Sequence, residues 1–324
     1  MSSRPAPVAG SVSAKDLNHH NPRIGIALKV ASALVFTGMV AMVKMVATTF
    51  PVGEVLFARG IFGLIPVLIM AGFQGELPGA FKTSRPFGHL SRAIVGATAM
   101  SLWFSALARL PLPDATAISF AAPLITVIFA ALFLREKVRI YRWSAVVVGF
   151  VGILIILSPH MGGSVESDET TLGSAFAFGS ATCMALAMIT VRRLTGTERT
   201  STIVIWFGMV TTGLALLTLP FGWVMPDAKG FAMLAAIGLF GGVGQILLTH
   251  SYRFADASTI APFDYSTMIW TVIVGYLVFS EVPTIEVLVG AAIVIGAGVF
   301  VIFRERALGL DRSKERSTVT PSKV

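Results

Sequence analysis

Residues 24–44, IGIALKVASALVFTGMVAMVK, lie without a gap over residues 172–192, LGSAFAFGSATCMALAMITVR. The overlay sets Ile24-Gly25 on Leu172-Gly173, Ser32 on Ser180 and Lys44 on Arg192. A second ungapped stretch, 96–136 over 241–281, begins with Gly96 on Gly241 and ends with Glu136 on Glu281, each glutamate closing a long apolar run. The chain is a duplication, and the nature of the duplicated unit decides the fold.

That unit is made of membrane-length helices. Of 324 residues, 55% are hydrophobic and 13% charged, with a mean hydropathy of +0.80, outside the range of soluble globular domains. A helix rising about 1.5 Å per residue needs roughly 20 apolar residues to cross a hydrocarbon core of about 30 Å. Ten runs qualify: about 24–45, 51–72, 89–108, 114–134, 141–158, 171–191, 201–223, 230–251, 257–279 and 284–303. The expected fold is all-α and integral to the membrane, with residues 24–158 and 171–304 as two five-helix repeats. Residues 1–23 read as a disordered tail without a signal peptide, and 305–324 as a second, mobile tail. His19-His20 lack Cys or carboxylate partners and read as solvated tail, so no metal site is expected.

Basic residues near span ends stay on the cytoplasmic side. With the N-terminus inside, 20 of the 25 Lys and Arg fall on cytoplasmic segments; Lys44, Arg109 and Lys229 lie outside, and Lys29 and Arg59 lie within spans. The net charge of +8 therefore reports topology and contact with anionic lipid, and gives no reason to invoke nucleic acid. Five spans is an odd number, so the second repeat is inverted relative to the first. Inverted repeats are a recurring architecture of secondary transporters, with the solute site between the halves.

Each repeat ends in an apolar helix, a Glu at the break (Leu134-Arg135-Glu136-Lys137 and Phe279-Ser280-Glu281-Val282-Pro283) and a Gly-containing last helix. Glu54 with Arg59 in span 2, and Tyr252-Arg253-Phe254-Ala255 after span 8, complete a pattern over residues 24–304 that resembles the drug/metabolite transporter superfamily, in its EamA-type branch. The resemblance implies cytoplasmic termini in a bacterial inner (plasma) membrane, a central cavity lined mainly by spans other than 5 and 10, and transport of small organic solutes. The family's members carry amino acids, nucleotide derivatives, S-adenosylmethionine, riboflavin and drugs.

Intramembrane charges point to chemistry, since each costs about 2.5 to 3.5 kcal/mol at a helix centre. Glu54, Arg59, Lys29 and Asp264 stand opposite Thr202, Phe207, Ala177 and Ser119 in the other repeat, so the fold does not require them. Arg59 either meets solute or gates, or it forms a structural ion pair with Glu54 or Asp264. Glu54 reads equally as an interfacial residue, and Lys29 as one that snorkels. Asp264 is a candidate proton carrier, and His250 a weaker one. Trp103, Phe120, Tyr265 and Trp270 are candidate cavity walls, with Gln245 beside them. Pro123 should kink span 4, and Gly241, Gly242 and Gly244 could bend span 8 or fit close packing. Glycines in spans 5 and 10 suggest scaffold or a homodimer contact. The single Cys183 is assigned to packing.

Two function classes follow. An integral-membrane enzyme or sensor lacks any HExxH, GxSxG, Walker loop or cysteine pair, and no cofactor is implied. The favoured class is a secondary transporter working by alternating access on a small-molecule substrate. Charges of both signs suit a zwitterion, an amino acid or a derivative such as S-adenosylmethionine; the aromatic residues favour riboflavin as the alternative. Import and export remain open.

Overall fold

The computed structural model describes residues 21–318 apart from 74, 76, 137, 161–164, 196, 199 and 256; the N-terminal tail with His19-His20 lies outside the described residues. The first half comprises α1 (Pro22–Val46), α2 (Val52–Phe73), α3 (Leu77–Ala80), α4 (Pro86–Leu107), α5 (Leu112–Ser119), α6 (Ala121–Phe133) and α7 (Ile140–Leu157). The second comprises α8 (Val165–Thr195), α9 (Thr200–Leu216), α10 (Ala228–Phe254), α11 (Ala257–Ile260), α12 (Ser266–Phe279) and α13 (Ile285–Thr318). Local chemistry sets the starts. Asn21 accepts a hydrogen bond from the Ile24 amide and Pro22 opens α1, while the Asp227 carboxylate caps α10 through the Gly230 amide.

Among the described residues nine segments are long and apolar enough to cross a membrane. The span expected at 201–223 is shorter: α9 stops at Leu216, because the Pro220 ring would meet the carbonyl four residues back. A single turn of 3-10 helix over Leu219–Phe221 and a left-handed Gly222 (φ 87°) follow it. The segment expected to be a tail at 305–324 begins as a continuation of α13, which runs on to Thr318.

The fourth span of each repeat was expected to be one helix and is two. Pro123 does more than kink span 4: its ring excludes the Ser119 carbonyl, and α5 ends at that residue. The second repeat breaks in the same place through a 3-10 turn, Ala261–Tyr265, around Pro262. Phe120 and Tyr265, equivalent residues at the two breaks, meet edge to face with ring centroids 5.2 Å apart. Both spans also end alike. Arg135 (φ 52°) and Ser280 (φ 56°) are left-handed, and the amides of Glu136 and Glu281 donate back to Ala130 (3.3 Å) and Gly275 (3.0 Å). Such a turn favours glycine, so Ser280→Gly is expected to stabilise the fold by about 1 kcal/mol, read as a higher midpoint of thermal unfolding in detergent.

The halves pack across each other. α1 lies along α10 and α8 along α4, while α2 meets α9 and α7 meets α13. The Ser32 hydroxyl donates to the Gly244 carbonyl (2.9 Å), and its equivalent Ser180 donates to Ala99 (2.7 Å), the position equivalent to 244. Spans 5 and 10 touch at glycine: a Cβ at Gly152 would lie 2.8 Å from the Gly290 carbonyl oxygen, and one at Gly290 2.6 Å from that of Gly152. Those glycines are thus used inside the chain. The faces of α7 left outward carry Val147, Val151 and Leu154, as lipid contact requires.

Candidate substrate cavity and its two ends

The bundle has a basic end, where α1 starts and α13 finishes, and an opposite end. The opposite end is closed. Val43, Val46, Phe50, Leu107, Leu110 and Leu112 are buried there in one core shared by both halves. Over this plug the Lys44 ammonium meets the Glu281 carboxylate at 2.7 Å, with side-chain exposures of 15% and 17%. The second Glu281 oxygen accepts from the Leu112 amide (2.7 Å), and Lys44 also donates to the Leu110 carbonyl. One carboxylate thereby ties α1, α12 and the turn before α5.

The basic end carries the equivalent pair in looser form. Arg192 and Glu136, which match Lys44 and Glu281 in the repeat, stand 3.5 Å apart with exposures of 50% and 41%. Beside them Glu198, after α8, accepts from the Thr83 hydroxyl (2.9 Å) and from the Ser84 amide and hydroxyl (3.0 Å each), joining the connections of the two halves. Desolvation raises the Glu198 carboxyl, but these bonds and nearby His89 hold it below the ordinary carboxylate range.

Between these ends a cavity of about 400 Å³ lies among α2, α4, α8, α9 and α10, within the size range of small-ligand sites. Val67, Val191, Ile203, Leu248 and Tyr252 place it in the basic-end half, and none of its lining comes from α7 or α13. Arg59 enters from α2; its Nη1 approaches the Met100 sulfur at 3.6 Å. Arg92 enters from α4 and lies over the Phe207 ring, 4.2 Å from its centroid, with Nε and Nη1 buried and unpartnered. Gln245 and Thr211 are further polar lining groups, and no acidic residue lines the cavity among the described residues.

Of the residues singled out in the sequence, Arg59, Gln245, Gly241 and Gly242 line this cavity. Lys29 and Asp264 do pair, at 2.5 Å, with Lys29 4% exposed and Asp264 57%. Glu54 pairs with neither Arg59 nor any other cation among the described residues; its buried carboxylate accepts from the Val224 amide at 3.0 Å and caps the turn between α9 and α10. The reason is its place three residues after Pro51, at the sealed end, a full turn from Arg59. Trp103 packs against the core, Trp270 is half-buried, and Phe120 and Tyr265 pack on each other, so the aromatic lining is Phe207 and Tyr252 instead. His250 is half-buried near the end of α10. α10 runs unbroken through its glycines, which are filled by Phe62 at Gly238, by Gly63 and Pro66 at Gly242, and by Phe36 at Gly244.

Arg92 escaped the sequence reading because span 3 was started at residue 89, which put Arg92 at the membrane edge. Beginning the helix at Pro86, a residue suited to a first helical position, moves Arg92 nearly one turn further in. Phe207 was within reach as the repeat equivalent of Arg59.

The family model described as "EamA-like transporter family" matches residues 23–158 and 171–304. A protein named S-adenosylmethionine uptake transporter from Rickettsia bellii (strain RML369-C) is 30% identical over 283 residues, covering 87% of this chain and 94% of its own. A riboflavin transporter from Rhizobium johnstonii is 33% identical over 230 residues, 70% of this chain and 73% of its own. A solved crystal structure aligns with a TM-score of 0.61 at 17% identity over 87% of this chain and 98% of that one, a likeness of fold.

Proposed function

The chain belongs to the EamA-like transporter family, and from that premise we propose that it carries a small organic metabolite across a bacterial inner membrane by alternating access, with both termini in the cytoplasm. The observation behind this reading is the cavity between the two halves, set toward the basic end and cut off from the other by a buried plug and the Lys44–Glu281 pair. In this reading the described state faces the cytoplasm. The opposite state would exchange the two equivalent pairs: Lys44–Glu281 parts while Arg192–Glu136 tightens, and the halves swap roles as inverted repeats allow.

The favoured solute is an amino acid or a derivative of the S-adenosylmethionine kind, whose carboxylate would meet Arg59. The names of relatives and the Phe207 and Tyr252 faces also favour a flat ring system such as riboflavin as the second reading. Proteoliposomes holding the purified protein test both. Saturable counterflow of radiolabelled amino acids, S-adenosylmethionine or riboflavin is expected, and a panel in which nothing exchanges above protein-free vesicles contradicts the transport reading.

Asp264 is the proposed proton carrier, since protonating it would release Lys29. An imposed pH gradient is then expected to drive transport in the parent chain and to leave Asp264→Asn unaffected. Equal gradient dependence in both removes Asp264 from coupling.

A further inference from the structure

We propose that Arg59 and Arg92 together form an oxyanion subsite, so that the cavity selects soluble metabolites bearing a carboxylate or phosphate and a net negative charge. This rests on the transport reading and replaces the zwitterionic solute favoured there by an anionic one. The argument starts from charge balance. Lys29 and Lys44, also drawn into the bundle, each have a carboxylate, Asp264 for Lys29 and Glu281 for Lys44. Glu54, the one acid near Arg59 in sequence, is spent on the Val224 amide. Two guanidiniums therefore share one cavity without an acidic residue among its described lining.

A guanidinium stays charged, so its hydrogen-bonding edge must find an acceptor or remain unsatisfied in an apolar setting. Arg59 has a thioether, a weak acceptor, at 3.6 Å. Arg92 has an aromatic face at 4.2 Å and two buried nitrogens with no hydrogen-bond partner. Stacking on Phe207 uses the flat face of Arg92 and leaves the in-plane N–H groups to an entering ligand. Carboxylates and phosphates accept such forks bidentately. The rest of the wall, including Met184, Met188 and Leu248, is apolar and suits a ligand body carrying no further charge. A zwitterion would engage through its carboxylate but bring a cation toward two others; a solute with net negative charge would not. Arg192 and Arg193, exposed at the basic end, add attraction for anions approaching from that side.

The test uses full-length protein in nanodiscs of neutral phosphatidylcholine and three matched pairs differing in charge: glutamate and glutamine, flavin mononucleotide and riboflavin, S-adenosylhomocysteine and S-adenosylmethionine. Thermal stabilisation is read for each. Glutamate or flavin mononucleotide is expected to bind more tightly than its neutral partner, and Arg92→Gln or Arg59→Gln to weaken that anion on the order of 30-fold or more, with Arg92→Lys between; neutral S-adenosylhomocysteine should exceed cationic S-adenosylmethionine. Equal or tighter binding of glutamine than of glutamate together with equal or tighter binding of riboflavin than of flavin mononucleotide overturns the proposal, as does unaltered anion binding in properly folded Arg92→Gln and Arg59→Gln. No shift from any of the three more anionic members at about 10 mM overturns it too. Added phosphatidylglycerol that abolishes the shift assigns the guanidiniums to a lipid headgroup and overturns a soluble ligand. The two readings fail separately: exchange of glutamate or flavin mononucleotide that is unaltered by Arg92→Gln and Arg59→Gln leaves transport standing without the anion subsite, whereas absence of exchange for every solute removes transport itself.

Discussion

Glu281→Gln is expected to open the sealed end of the bundle and to slow solute exchange in proteoliposomes by about tenfold or more. Glu281 makes two links at once, an ion pair to Lys44 and a hydrogen bond from the Leu112 amide. Glutamine can keep the second through its amide oxygen and loses the first. Lys44 then remains a largely buried charge with only the Leu110 carbonyl and the Phe279 ring near it. Breaking a buried pair by removing one partner costs about 3 kcal/mol at the low end of its range. If that loss falls on one of two states, their ratio moves by about 150-fold. The equivalent change at the other end, Glu136→Gln, removes a pair at 3.5 Å that is half exposed, a class worth about 0 to 1 kcal/mol. It should leave the resting state in place. Inhibition by Glu281→Gln with little change in the resting state from Glu136→Gln is the asymmetry expected of an inward-facing molecule.

Gly290→Val should be the most destabilising small substitution in the scaffold, by about 3 kcal/mol, the upper part of the usual range for overpacking. A Cβ at 290 would stand 2.6 Å from the Gly152 carbonyl oxygen and 2.6 Å from Cγ1 of Ile156. Backbone cannot rotate away as a side chain can, so α7 and α13 must separate. That removes contact along the whole length of a helix pair in a solvent where lipid supplies no compensating hydrophobic force. Gly296, on the same helix, has nothing within 4 Å of its would-be Cβ, and Gly296→Val should leave the thermal midpoint unchanged. Equal effects from the two substitutions would mean that helix propensity, and not the crossing at Gly152, sets the cost.

The duplication was legible because it survives as identity at a few structural positions. Ser32 and Ser180 make matched hydrogen bonds, and the two glutamates close matched turns and face matched cations. Lys29 and Asp264 were legible as intramembrane charges, and only the structure shows that they meet each other. What local pattern could not carry was direction around a helix axis. Glu54 and Arg59 sit five residues apart on α2 and so point to different neighbours, one to a turn at the sealed end and the other into the cavity. Arg92 was hidden by a boundary error of three residues. The break in span 4 needed Pro123 read by its effect four residues upstream, where α5 stops, and the break in span 9 needed Pro262 read as the start of a 3-10 turn.

Alternation between the two ends is the central claim, and pulsed electron paramagnetic resonance measures it without a ligand. Spin labels at Met45 and Val282 report the sealed end, and labels at Arg139 and Thr197 the basic end, all four positions being exposed. The parent chain should give a short, narrow distance at the sealed end, and Glu281→Gln should lengthen it while shortening the distance at the basic end. A sealed-end distance unchanged by Glu281→Gln, or two ends that open together, would contradict alternating access through the paired carboxylates.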